Sequence, residues 1–190
     1  RIAALQNVTL TSNGIRNDEG RITADSLQIQ SRDGAGNWSA VSNQGGTILA
    51  EQRLQLDSAA LNNTAGAIQT TASTSTLAID SHGGDITNQQ SGNAGGIVSS
   101  GTLNIDAQGG RIHNSQGGYI GASGDTHISG SRVINQGGSI ASNSSLQVSS
   151  TAADGIAIDN TSGGSIQSTA DIKLYAFTAE IANTGGSIVS

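Results

Sequence analysis

Apolar and polar residues alternate along this chain in short runs, and one such run returns at intervals. It has the form apolar-x-Asn, as in Val133 to Asn135, and a glycine-containing turn follows it. Alternation with a period of two puts successive side chains on opposite faces, which predicts a β-strand. Eight asparagines share this pattern at spacings of 20 to 26 residues: Asn17, Asn43, Asn63, Asn88, Asn114, Asn135, Asn160 and Asn183.

Two further alternating runs complete each repeat. After the turn comes an isoleucine with a small residue two positions later, as in Ile140 and Ser142; then comes a run of the form Leu-x-Ile, as in Leu103 and Ile105. Strands this short bury little surface alone, but stacked on similar neighbours they form a continuous core. The repeat therefore predicts an all-β fold. We expect a right-handed parallel β-helix of about eight coils, in which each coil contributes one short strand to each of three sheets.

The repeats run through residues 1–190, which we interpret as a single β-helical segment. Neither end has the polar sequence expected of a capping repeat. We expect an internal fragment of a longer fibre, with coils of the same parent chain against both ends. Extra residues between strands predict surface insertions near residues 31–40, 70–76, 89–94 and 149–157. The eight asparagines are expected to form a buried hydrogen-bonded ladder, and the glycines to supply the positive φ angles of the turn.

Composition narrows the possible functions. The net charge of −6 argues against nucleic acid as a partner, because that binding needs clustered Lys and Arg. The chain has no cysteine and no run of 18 apolar residues, so neither thiolate metal sites nor membrane insertion is predicted. The Gly-Gly turns lack the lysine of a phosphate-binding loop, and we expect no cofactor.

The repeat has a counterpart in a known family. The segments VINQGGSIASNSSLQV and LNNTAGAIQ resemble the haemagglutinin repeats of the filamentous haemagglutinin family, and the likeness extends over residues 8–190. The resemblance implies a large exoprotein that Gram-negative bacteria export by two-partner secretion, through an outer-membrane partner. It also implies a secreted or cell-surface location and a parent that is either an adhesin or a contact-dependent growth-inhibition toxin.

Three aspartates form the best candidate for chemistry. Asp57, Asp80 and Asp106 directly follow the Leu-x-Ile run in consecutive coils, so they should stack at about 4.8 Å spacing. Carboxylates that close repel one another unless a cation or water screens them, which makes the column a candidate metal site. Its geometry also suits a polysaccharide-acting enzyme, or simply a solvated acidic stripe at a turn. No Arg or Lys lies in register to complete an active site, so we expect no catalytic residue and no enzyme.

The other candidates lie on the outside. Trp38 shares an insertion with Arg32 and Asp33, where it is a candidate sugar platform or interface anchor, or alternatively folds back over the adjacent coil. Tyr119 occupies an outward strand position with the same two interpretations. The histidines neither cluster nor face a nucleophile, and we expect plain surface residues at His82, His113 and His127.

These observations favour a structural rod segment of a secreted filamentous exoprotein, which extends the fibre and presents binding or toxin modules. The alternative is a module that binds a host glycan or a target-cell receptor through an insertion loop such as residues 31–40. An enzyme acting on polysaccharide through the aspartates is the third hypothesis.

Overall fold

The chain folds as a solenoid of parallel β-strands, about eight turns long. The structure is a computed structural model, and it describes residues 1–92 and 95–190. No α-helix occurs in these two ranges, and none of their segments is a helix that could cross a membrane. Solenoid winding follows from the repeat, because a single coil buries little apolar surface until further coils stack above and below it.

Each coil has three faces, which we name after the residue that characterises their inward side. The isoleucine face contains β1 (Ile2–Ala3), β8 (Ala67–Thr70), β11 (Gly96–Ser99), β14 (Tyr119–Ala122), β17 (Ser139–Ser142), β20 (Ser165–Ser168) and β23 (Ser187–Val189). The leucine face contains β2 (Val8–Ser12), β9 (Thr76–Asp80), β12 (Thr102–Asp106), β15 (Thr126–Gly130), β18 (Leu146–Ser150) and β21 (Ile172–Tyr175). The asparagine face contains β3 (Ile15–Arg16), β5 (Ala40–Ser42), β7 (Ala60–Asn62), β10 (Ile86–Thr87), β13 (Arg111–His113), β16 (Arg132–Ile134), β19 (Ile156–Asp159) and β22 (Glu180–Ala182).

Two long strands, β4 (Arg21–Ser31) and β6 (Thr47–Asp57), belong to both the isoleucine and the leucine face. They continue around the corner between the faces with only a one-residue shift in register, after Ala24. The hydrogen bonds therefore join two faces into one sheet of 15 strands, and the asparagine face forms a second sheet of 8 strands. Three strands per coil are confirmed, but the prediction of three separate sheets is wrong, because β4 and β6 bridge two of them.

Parallel register places equivalent residues of successive coils on one another. On the isoleucine face, Ile97 pairs with Ile68 on one side and with Ile120 on the other, and Ile120 in turn pairs with Ile140. These side chains are completely buried, as are most of their counterparts on the other two faces. The apolar core is therefore a set of side-chain columns that run the length of the solenoid.

The predicted insertions differ in how far they leave the coil. Within residues 31–40, Arg32 and Trp38 pair as an isolated antiparallel bridge around an exposed tip at residues 34–37. In residues 70–76 the chain leaves the strands only over residues 71–75, and in residues 149–157 only over residues 151–155. Of the segment 89–94, residues 93 and 94 lie outside the described part of the chain.

One polar residue interrupts the leucine column. Thr126 lies between Leu103 and Leu146 in register, and it is completely buried. Its Oγ1 atom has no hydrogen-bond partner among the described residues. A buried hydroxyl without a partner loses its interaction with water and gains nothing in return.

We therefore predict that Thr126→Val stabilises the fold. The substitution removes the hydroxyl while nearly preserving the side-chain volume, so the free energy of unfolding should rise by about 1 kcal/mol. Urea denaturation followed by circular dichroism measures the change. Thr102→Val at an exposed position of the neighbouring strand β12 is the control and should be neutral; an unchanged or lower midpoint for Thr126→Val would contradict the prediction.

Candidate functional site

The asparagines of the repeat lie inside the solenoid, at the start of the corner that follows the asparagine face. The six from Asn43 to Asn160 have no exposed surface, and Asn17 is only 7% exposed. Each follows an inward apolar residue by two positions, so the alternation of the strand carries its side chain inward. A primary amide in such a place must find partners for two N–H donors and one oxygen.

The amides satisfy one another in a single continuous ladder. In each coil Nδ2 donates to Oδ1 of the asparagine in the next coil, for example from Asn114 to Asn135 at 2.8 Å and from Asn135 to Asn160 at 2.7 Å. The direction is the same at every step from Asn17 to Asn183. The same nitrogen donates to a backbone carbonyl of the next coil, as from Asn135 to Ser165 at 3.0 Å.

The glycine beside the ladder is required for space rather than for its φ angle. A Cβ atom on Gly138 would lie 1.6 Å from the carbonyl oxygen of Asn114, and one on Gly46 would lie 2.0 Å from that of Asn17. The positive φ angle belongs to the preceding position, where Ala65 in one coil does what Gly137 does in another. The prediction that these glycines supply the positive φ is therefore wrong for the glycines that directly face the ladder, such as Gly46 and Gly138, whose role is to let two coils approach closely.

The aspartate column is in register as expected. Asp57 pairs with Asp80 and Asp80 with Asp106 along the leucine face. The carboxylates, however, face donors of the chain rather than one another. The Asp80 carboxylate accepts from Gln108 Nε2 at 3.0 Å to both oxygens and from the backbone N–H of His82 at 2.7 Å.

The two outer members of the column are also bonded. Gln55 Nε2 donates to Asp57 at 3.1 Å, and Ser129 Oγ donates to Asp106 at 2.7 Å. Gln108 spans two coils, since its backbone N–H also donates to Asp106 at 2.8 Å. No group of three His, Cys, Asp or Glu residues in the described ranges has the arrangement needed to hold a metal ion. The geometry is that of carboxylates capping turns.

Trp38 folds back against the solenoid instead of projecting from it. Its ring stacks on the imidazole of His82, with the centroids 4.0 Å apart and the planes 8° from parallel. The guanidinium carbon of Arg32 lies over the indole, 5.7 Å from its centroid. His82 lies in a turn two coils further along, so the stack fastens the 31–40 insertion to the leucine-face corner. The sequence offers one signal for it: both residues come shortly after a leucine-face strand and so share one edge of the rod.

Asp33 makes the tip of the same insertion rigid. Its carboxylate accepts from the backbone N–H groups of Ala35 and Asn37 and from Asn37 Nδ2, each at 2.9 Å. The Asn37 side-chain hydrogen bond, followed by the backbone bonds, lowers the pKa of Asp33 below its ordinary value. The insertion is therefore a closed loop with a fixed shape.

The remaining candidates do not converge on a site. Tyr119 lies on the isoleucine face, where its ring covers Gly121: a Cβ atom on that glycine would lie 2.5 Å from the phenol oxygen. His113 Nε2 is 3.6 Å from an Asp85 carboxylate oxygen on the asparagine face, and His127 is exposed on the leucine face. The structure thus brings Trp38, Arg32 and His82 together, and leaves Tyr119, His113 and His127 apart.

Comparison with known proteins agrees with this geometry. The sequence model described as Haemagglutinin repeat matches residues 1–37, 36–110 and 98–176, which together cover most of the chain. The chain belongs to the haemagglutinin repeat family. No curated protein and no solved structure gives a match.

The asparagine ladder of this haemagglutinin-repeat chain should contribute measurably to the free energy of unfolding. Asn114→Ala should lower the free energy of unfolding by about 3 kcal/mol, because Asn88 Nδ2 and Asn135 Oδ1 both lose a buried partner. Asn183→Ala is the matched control; it removes the exposed last member of the ladder and should cost less than about 1 kcal/mol. Denaturant titration compares the two, and equal losses would contradict a cooperative buried ladder.

A second prediction concerns the stack in the haemagglutinin-repeat insertion. His82→Ala should expose the indole of Trp38, the only tryptophan, and shift its fluorescence emission to longer wavelength. His127→Ala removes a histidine far from Trp38 and should leave the spectrum unchanged. If the emission of His82→Ala matches that of the unmodified chain, Trp38 is not held by the stack.

Proposed function

We propose that this chain is a rod segment of a secreted, cell-surface filamentous exoprotein, whose task is to extend the fibre and present binding or toxin modules. The observation that supports this most directly is the uniformity of the inside. The isoleucine column and the asparagine ladder continue from coil to coil through the described residues, and only Thr126 interrupts the leucine column. An interior of this kind suits a stiff rod that can be lengthened by adding coils.

The two ends support continuation into further coils of the parent chain. Inner members of the isoleucine column such as Ile140 are completely buried, whereas Ile188 in the last coil is 37% exposed. On the asparagine face, Ile158 is completely buried and Ile181 in the last coil is 39% exposed. At the other end, Val8 and Leu10 are partly buried. A neighbouring coil with the same repeat would cover these residues and extend the backbone hydrogen bonding.

Family membership supports the finer part of the proposal. The family resemblance supports export through an outer-membrane secretion partner and a parent that is an adhesin or a growth-inhibition toxin. A role without catalysis is supported by the aspartate column, in which the carboxylates are bonded to chain donors. Under this proposal the surface is tolerant of change and the inside is not.

Deletion of whole coils tests the rod function. Removing residues 114–134 takes out β14, β15 and β16 and joins His113 to Asn135, so register and ladder are kept. We expect a folded rod that is shorter by about 4.8 Å and a displayed parent filament that still adheres to its target cells. X-ray scattering and a cell-binding assay measure the two effects.

The control deletes residues 114–125, which removes β14 alone and leaves an incomplete coil. This variant should lose cooperative unfolding, because the faces no longer stack in register. The same whole-coil deletion is then made at other coils. If one particular coil proves essential for adhesion while the shortened rod is still folded, the segment is a discrete binding module and the rod proposal fails.

A further inference from the structure

The outward side of the isoleucine face differs from the rest of the surface in its charge. The chain carries 14 Asp and Glu residues and a net charge of −6, yet no acidic residue lies in β8, β11, β14, β17, β20 or β23. Residues 21–24 and 47–50, which complete this face, contribute only one charge, that of Arg21. All the carboxylates therefore lie on the other two faces and at the corners.

The same face is flat and partly apolar. Leu49, Val98 and Ala141 point outward and are only partly buried by their neighbours. The one aromatic side chain in these strands, Tyr119, lies over Gly121, as the close approach of its phenol oxygen to that glycine shows. Flat sheet faces with small and apolar side chains pack against one another about 10 Å apart.

Charge also indicates which molecule fits here. Two copies of an acidic rod repel each other wherever carboxylates meet, so a neutral face is where a second copy approaches at the lowest electrostatic cost. Arg21 begins the strand on this face and is exposed, and it forms no ion pair within residues 1–92 and 95–190. Asp25 lies at the opposite edge of the face, just beyond Ala24 on the same strand β4.

With a twofold axis parallel to the rod, the positive edge of this face in one copy meets the negative edge in the other. Such an axis sets two rods side by side and parallel, with each coil facing its own copy and the strand directions reversed across the interface. Arg21 of one copy then faces the Asp25 edge of the other, where Glu51 occupies the same corner in the next coil. Self-complementarity of this kind is what a twofold interface requires.

We propose that the outward isoleucine face is a lateral docking surface for a second copy of this chain, with the rods parallel and Arg21 paired to Asp25 across the interface. Four-residue strands in eight coils give a face of about 13 by 38 Å, or roughly 1,000 Å² for both copies. That is less than the ~1,200 Å² of a stable interface, so the isolated chain associates weakly. The buried area grows with each coil, so longer rods associate more strongly.

Two matched alanines provide the test. Ala141 on the isoleucine face and Ala78 on the leucine face are both outward, mid-strand and partly buried. Sedimentation velocity over a concentration series should show a weak dimer for the unmodified chain and for Ala78→Glu. Ala141→Glu should remain monomeric over the same range, because it puts two carboxylates against a neutral surface. Circular dichroism verifies that both variants are folded.

A charge exchange tests the proposed orientation. Arg21→Glu should weaken the dimer at least several-fold, and adding Asp25→Arg should restore it, since the pair is then reversed but still complementary.

A chain that is monomeric at every concentration overturns the proposal. Equal association of Ala141→Glu and Ala78→Glu overturns it as well, because association then occurs through a surface other than the isoleucine face. Failure of the double variant to recover overturns the parallel arrangement. None of these outcomes bears on the rod function itself, which coil deletion tests separately.

Discussion

A buried primary amide in every coil constrains the rest of this structure. An amide removed from water must place two donors and an acceptor, and within this apolar interior most of its partners come from the coil above and the coil below. That requirement constrains the register between coils and the path of the corner. It also excludes any side chain at the adjacent glycine, where the asparagine carbonyl of the previous coil fills the space. The apolar columns supply most of the buried area, but the ladder makes one register better than its alternatives.

The repeat pattern was sufficient to predict most of the fold. Alternation identified which residues turn inward, and the burial of Val133, Asn135 and Ile140 follows from their positions in consecutive strands. It could not show that β4 and β6 continue around a corner, because that depends on a local register shift after Ala24. Likewise, it did not distinguish the two glycines of a turn: positive φ and close approach both favour glycine, and only the structure separates Gly137 from Gly138.

The surface contacts were harder to predict, for a physical reason. A repeat describes what all coils share, whereas the stack of Trp38 on His82 joins two residues with no counterpart in other coils. Gln108, which bridges the carboxylates of Asp80 and Asp106, is a single occurrence of the same kind. The register of the aspartate column was predictable from spacing alone, but whether its members repel or cap turns depends on these unique neighbours.

The constant direction of the asparagine ladder has an electrical consequence. Each amide carries a dipole, and seven consecutive hydrogen bonds from Asn17 to Asn183 align these dipoles head to tail along the rod. Strand dipoles largely cancel within a sheet, so the side-chain column contributes a net axial field in the way that aligned peptide units do in a helix. The negative pole lies at the Asn17 oxygen and the positive pole at the Asn183 amide nitrogen. A fibre built from such coils is therefore a polarised object, and every coil added to it must keep the same head-to-tail sense.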